Sequence, residues 1–190
     1  GVNQVQVNEK AGLTFSSALR SILRQDPDIV MIGEIRDTET AEIAIRAAIT
    51  GHLVLSTLHT NDAASSIVRL IDMGVASYMV ASSVNCVVAQ RLVKKLCPEC
   101  KRKREIKAEE AAILKDPSIT HIYEPVGCPR CGNTGYKGRT AIYEIIEIDS
   151  DLRRMISEGR TTEEIRDFAK EHGATFLEDS IRTLIGNGTT

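Results

Sequence analysis

Two cysteine pairs, Cys97-Pro-Glu-Cys100 and Cys128-Pro-Arg-Cys131, flank residues 101–127. Each C-x-x-C turns two thiolates toward one point. Two such knuckles supply the four corners of a tetrahedron, the geometry of a structural zinc ion. Pro98 and Pro129 stiffen the knuckles and Gly132 offers a turn. The long intervening segment is tolerable because loop entropy grows slowly with length. The alternative for the same spacing is four free or redox-active thiols. In a zinc site all four ligands are used, which leaves no open position for catalysis. The fifth cysteine, Cys86, lies in an apolar stretch that reads as helix, where it serves as a small core residue.

A second chemistry-bearing group is acidic. Glu34 follows the apolar run Ile29-Val30-Met31-Ile32 and Gly33. A carboxylate in that position projects at the carboxyl edge of a sheet, where it can orient and deprotonate a water attacking a γ-phosphate. The competing assignment is a surface Glu paired with Arg36. His59 occupies the same place after the next apolar run, where an imidazole can hydrogen-bond a phosphate or sense its loss. His52 precedes that run and is expected at its other end. For each isolated histidine, His121 and His172 included, a satisfied structural role is the alternative. No stretch matches G-x-x-x-x-G-K-[ST], so the cradle for β- and γ-phosphates is not among these residues.

The elements that must position these groups alternate. Val2, Val5 and Val7 give a weak strand signal. Thr14 caps a helix through Ala18, Leu19, Ile22 and Leu23, which Asp26-Pro27-Asp28 stops. Residues 29–32 form a strand buried on both faces. A helix from Thr38 runs to Gly51, and Leu53 to Thr57 form a second buried strand. Asn61 or Asp62 caps the next helix, which ends near Gly74, and another helix is expected from Ser77 to Gln90. Strand and helix in alternation predict a parallel α/β sheet, whose ligands bind outside the carboxyl ends of the strands. Beyond the cysteine segment, with a short helix near Ala108 to Leu114, residues 139–148 read as strand. Two helices come after it, near 151–158 and 162–172. The expected organisation is therefore 1–96 as an α/β core half, 97–135 as a cysteine module and 136–190 as a strand with a helical subdomain.

Composition narrows the function. The 190 residues are 42% hydrophobic and only 4% aromatic, without Trp, which favours an aliphatic α/β core. A net charge of -2 gives no global pull toward nucleic acid or acidic lipid, so direct nucleic-acid binding is not expected. The basic run Lys101-Arg102-Lys103-Arg104 reads as a solvated face or a partner surface. No apolar run reaches the roughly 18 residues that cross a bilayer, so a cytosolic chain is expected. The sequence opens on Gly1 in what reads as mid-domain, as a piece of a longer protein would.

Taken together these motifs resemble a known family. Leu19-Arg-Ser-Ile-Leu-Arg-Gln-Asp-Pro-Asp28 leading into Ile32-Gly-Glu-Ile-Arg-Asp37 resembles the Walker B region of the type II secretion and type IV pilus assembly ATPases. Thr50-Gly-His-Leu-Val-Leu-Ser-Thr-Leu-His-Thr-Asn61 resembles their His box. Gln90-Arg-Leu92 and the doubled C-x-x-C resemble the region C-terminal to the His box in the assembly and export branch, and set the chain apart from the retraction motors. The resemblance implies a partial RecA-like sheet with flanking helices, a tetracysteine zinc-binding insertion and a C-terminal helical subdomain. It implies a homohexameric motor at the inner face of the cytoplasmic membrane, docked on an inner-membrane platform protein and fuelled by ATP with Mg. Glu34 is then the general base, and His52 and His59 the His-box histidines. Gly33 stands where many P-loop enzymes place a magnesium-side Asp, a departure from the common pattern. The P-loop, the acidic box and the N-terminal domain are expected elsewhere in the parent, and these residues alone are expected to be inactive.

Overall fold

The computed structural model describes the backbone of residues 1–190 and every side chain but that of residue 9. The described residues fall into two compact units, 1–87 with 146–172 and 88–145 with 173–190.

In the first unit, α1 (Phe15–Leu23) begins at Thr14, whose hydroxyl accepts the Ser17 N–H. Strand β1 (Ile29–Ile32), helix α2 (Thr38–Ile49) and strand β2 (Leu53–Ser56) form a strand-helix-strand crossover. The strands pair in parallel with Ile29 opposite Leu53 and Ile32 opposite Ser56, as the alternating sequence implied. Helix α3 (Ala63–Asp72) starts at Asp62, which accepts the Ser65 N–H. Helices α4 (Ser77–Ser83), α6 (Ser150–Ser157) and α7 (Thr162–Glu171) complete the unit. Thr161 and Glu164 form a reciprocal cap on α7.

The core is built from small and branched residues. Ala41, Ala44, Ile45, Ala63, Ala64, Ile67, Val80, Ile156 and Ile165 are all buried. Alanines on α2 and α3 let helix backbones approach their neighbours closely. The strands differ from expectation on one point. Val30 and Ile32 are buried, but Ile29, Met31, Leu53 and Leu55 are exposed. Period-2 alternation puts those four on one face, which no described helix covers.

The second unit holds most of β3 (Cys86–Leu96), which pairs with β6 (Tyr136–Glu147). It also holds the antiparallel pair β4 (Arg102–Glu105) and β5 (His121–Glu124), with α5 (Ala108–Leu114) and α8 (Leu177–Gly186). Two expectations are corrected here. The helix expected to reach Gln90 ends at Ser83, and residues 86–96 are strand. Val84, Val87 and Val88 are β-branched, and pairing with β6 overrides their apolar helical spacing. Cys86 is consequently an exposed strand residue rather than a core helix residue. Residues 1–7 form no strand despite their valines.

Candidate functional site

Two turns at the carboxyl edge of β1 and β2 set the first site. After β1 the chain bends at Gly33, and Glu34 and Arg36 are left accessible while Ile35 between them is not. Ile35 is buried, and its N–H donates to the Thr57 carbonyl at 3.0 Å. Asp37 caps α2 by accepting from the Thr40 N–H at 2.8 Å. From the other turn, the Thr57 hydroxyl donates to the Gly33 carbonyl at 2.7 Å. Thr60 Oγ1 lies 2.5 Å from Ser66 Oγ, and Asp62 accepts from the Ser65 N–H at 2.7 Å. Both turns are thus fastened to a helix start and to each other.

That framework brings Glu34 and His59 together. His59 Nε2 lies 2.8 Å from Glu34 Oε2, and Arg36 Nη2 lies 2.5 Å from Glu34 Oε1. The carboxylate is about two-thirds buried, whereas both partners are largely exposed. The Arg36 guanidinium, and after it the His59 ring, hold the Glu34 carboxyl below the usual carboxylate range. Glu34 is therefore ionised at neutral pH, the state a proton acceptor requires. The surface pairing with Arg36 and the position at the strand edge, alternatives in the sequence, coexist in the structure. Beside them lies a cleft of about 280 Å³ lined by Ile35, Arg36, Leu58, His59 and Arg69.

His52 is not part of this group. It precedes β2, at the opposite edge, where its Nδ1 lies 3.1 Å from the Ala47 carbonyl and 3.4 Å from Thr50 Oγ1. Arg69, in the last turn of α3, is the lining residue that sequence reasoning passed over. Only the fold brings it to the cleft that Arg36 and His59 line, and no spacing in the sequence signals it.

The second site is the cysteine cluster. The Sγ atoms of Cys97, Cys100, Cys128 and Cys131 all lie within 4.8 Å of one another. Cys97 and Cys128 are 3.9 Å apart, Cys100 and Cys131 3.9 Å, and Cys128 and Cys131 3.8 Å. A tetrahedron with Zn–S of about 2.3 Å has edges of about 3.8 Å. Disulfides need sulfurs near 2.05 Å apart. The residues present therefore fit a four-thiolate ion. Cys97 is buried at the end of β3. Cys128 to Cys131 form a tight turn closed by Gly132 at φ 61. Burial pushes the Cys100 thiol up to about 11. At Cys131 burial opposes ionisation, but the Cys128 and Gly135 N–H groups, each donating to its sulfur at 3.2 Å, bring the thiol down to about 6. A sulfur already collecting N–H donors is prepared to carry thiolate charge.

In the basic run beside this cluster, three of the four side chains find partners within the second unit, while Arg102 and Lys103 stay exposed. Arg104 forks onto Glu110 at 2.6 and 2.8 Å and reaches Glu124 at 3.1 Å. Arg102 donates to Glu124 at 2.5 and 2.8 Å. Lys101 Nζ donates to the Gly188 carbonyl at 2.6 Å and sits 4.7 Å from the Tyr123 ring centre. Two of the four cations, Arg102 and Arg104, are paired with carboxylates because β4 pairs with β5, which carries Glu124, and α5 supplies Glu110, while Lys103 is exposed.

The chain resembles known proteins along its whole length. The family described as type II/IV secretion system protein matches residues 1–190. The type IV pilus assembly ATPase PilB of Acinetobacter baylyi is 51% identical over 199 residues, covering 100% of this chain and 34% of the relative. The type II secretion system protein HxcR of Pseudomonas aeruginosa is 47% identical over 190 residues, covering 100% and 37%. The chain thus spans about a third of the length of these relatives. The crystal structure of the Yersinia pseudotuberculosis ATPase DotB superposes with a TM-score of 0.65 at 23% identity, covering 94% of this chain and 38% of that one, a likeness of fold alone. The pilus retraction motor PilT, solved with ADP, superposes at 0.53 with 27% identity, covering 88% and 43%. With a match along its whole length, the chain belongs to the type II/IV secretion system protein family.

Proposed function

We propose that this chain is the hydrolytic portion of a motor ATPase that drives type II protein secretion or type IV pilus assembly. The observation that carries the reading is the Glu34–His59 contact of 2.8 Å at the carboxyl edge of two parallel strands. In this reading Glu34 accepts a proton from the water that attacks the γ-phosphate, and His59 holds the carboxylate in place before the nucleotide arrives and contacts the phosphate once it is bound. ATP and Mg are supplied to this edge in the full-length parent, where a phosphate-binding loop outside these residues grips the nucleotide. His52, a His-box residue by resemblance, acts from the far end of β2 by fixing the turn out of α2. The core half 1–96 is RecA-like, the module 97–135 holds a structural zinc ion through Cys97, Cys100, Cys128 and Cys131, and 136–190 forms the C-terminal subdomain. The parent works as a homohexamer in the cytoplasm, on the inner face of the membrane, against a platform protein. No described helix is long and apolar enough to cross a membrane, which suits attachment through a partner.

Comparing ATP turnover by the full-length parent and by these 190 residues tests the reading. Phosphoryl transfer depends on positioning and on charge at the β- and γ-oxygens. The parent should hydrolyse ATP and the isolated chain should show no turnover above background. Robust turnover by the isolated chain, free of contaminants, or none by the parent, would contradict it.

A further inference from the structure

The cleft beside Glu34 has a chemistry of its own. Its polar lining is two guanidiniums and an imidazole, from Arg36, Arg69 and His59. These come from three places: the turn after β1, the turn after β2 and the last turn of α3. Arginine is charged at any working pH and offers a fork of donors matched to phosphate oxygens. The carboxylate touching this lining, Glu34, sets one charge against two guanidiniums. Among the described residues Arg69 has no ion-pair partner. The two turns are locked by the Ile35–Thr57 and Thr57–Gly33 hydrogen bonds, so the donors converge without the backbone having to reorganise.

Both oxygens of Glu34 are meanwhile occupied, one by Arg36 and one by His59. A carboxylate with a charge-assisted contact on each oxygen can still accept a hydrogen bond from water, but it is a weaker proton acceptor than one released from them. We infer that Arg36, Arg69 and His59 form a phosphate subsite, and that a terminal phosphate entering it draws Arg36 and His59 away from Glu34 and so frees the carboxylate to act. Arg36 is then a positioning residue with two alternative partners, the carboxylate at rest and the phosphate when loaded. Arg69 is the group that tips the balance, because it attracts the phosphate and opposes nothing in the resting pair. The inference rests on the reading of this edge as a nucleotide edge, but its first test requires no turnover.

Inorganic phosphate is titrated into the 190-residue chain at constant ionic strength, following the Arg36 and Arg69 Nε–H and His59 ring signals by NMR. A saturable shift at all three is expected. Arg69→Gln and Arg36→Gln should each weaken the midpoint by about 3- to 10-fold, the range for losing one charge-assisted contact at an exposed site. Glu34→Gln should tighten it by about 2- to 3-fold, since the carboxylate competes with phosphate for Arg36. A role for these side chains in folding alone would not produce that opposite sign. All three sites are at least partly exposed, and backbone amide spectra confirm that the variants keep their fold. Shifts that do not saturate, or midpoints unchanged in the variants, would overturn the subsite. In the full-length parent, Arg69→Gln should weaken ATP more than ADP. Equal loss for both would overturn the assignment to a terminal phosphate. Phosphate binding as described in a parent without ATPase activity would defeat the proposed function and leave the subsite standing. Turnover without phosphate binding would do the reverse.

Discussion

The two candidate sites are held in opposite ways. At the strand edge, Glu34, Arg36 and His59 meet through hydrogen bonds among side chains that are mostly in contact with water. In the cysteine module, four sulfurs are fixed by two tight turns, a strand end and N–H donors to sulfur. Glu34 and its partners can exchange one contact for another at little cost, as a reaction cycle requires. The sulfurs cannot separate without breaking the module, which suits a part that transmits shape and performs no chemistry. The exchangeable contacts lie at an exposed charged edge, and the fixed ones in a loop-rich segment.

Perturbing the module should therefore have the larger structural effect. Removing metal with a strong chelator, or replacing Cys97 by Ser, should unfold residues 97–135, because the ion supplies the folding energy of such a segment. Residues 15–83 should stay folded. Hydrogen exchange resolves the two regions, and equal loss of protection in both would contradict the comparison. Metal analysis under reducing conditions should find about one zinc ion per chain.

A smaller local effect is expected at Gly135. Its φ of 76 is unfavourable for side chains, and an added Cβ would run into Pro125. Gly135→Ala should cost about 1–3 kcal/mol in the module by thermal or denaturant unfolding. It should also weaken zinc retention, since the Gly135 N–H donates to Cys131 Sγ. A neutral result would mean that the turn relaxes freely.

The Arg104–Glu110 pair makes a pH prediction. The Arg104 guanidinium, and then the Lys107 N–H, bring the Glu110 carboxyl from an ordinary 4.5 down to about 2. A depressed carboxyl stabilises the fold fully above its unfolded value, and that contribution is lost as pH falls through the folded one. The Glu110 carboxyl carbon should titrate near pH 2, not near 4.5. The support it gives the module should begin to fade below about 4.5. Arg104→Ala should return the titration toward the ordinary value. The least effect is expected from Lys103→Glu, an exposed position, within about 0.5 kcal/mol of the original stability.

Much of this was legible in the sequence, for identifiable reasons. Capping residues marked the starts of α1 and α3. Apolar runs ending in polar residues located β1, β2 and the edge carrying Glu34 and His59. The doubled C-x-x-C named its four candidate ligands. What failed depended on partners distant in the chain. Residues 86–90 read as the end of a helix until β6 pairs with the strand they open. Arg102 and Arg104 look like a free basic patch until β5 and α5 bring Glu124 and Glu110. The exposed face of β1 and β2 was unreadable because an apolar run does not say how many of its faces are covered. Arg69 could not be found from spacing, since nothing local links it to Arg36 and His59.

Most depends on Glu34 as a proton acceptor whose side chain is free to change partners. The direct measurement is nucleotide binding and turnover by the full-length parent carrying Glu34→Gln. Gln keeps the size and hydrogen bonding of Glu but cannot take a proton. Turnover should fall by about 10²- to 10⁴-fold, the usual loss of a general base, while ATP affinity holds or rises. Near-normal turnover with Glu34→Gln would leave Glu34 as a surface partner of Arg36 and contradict its role as the base.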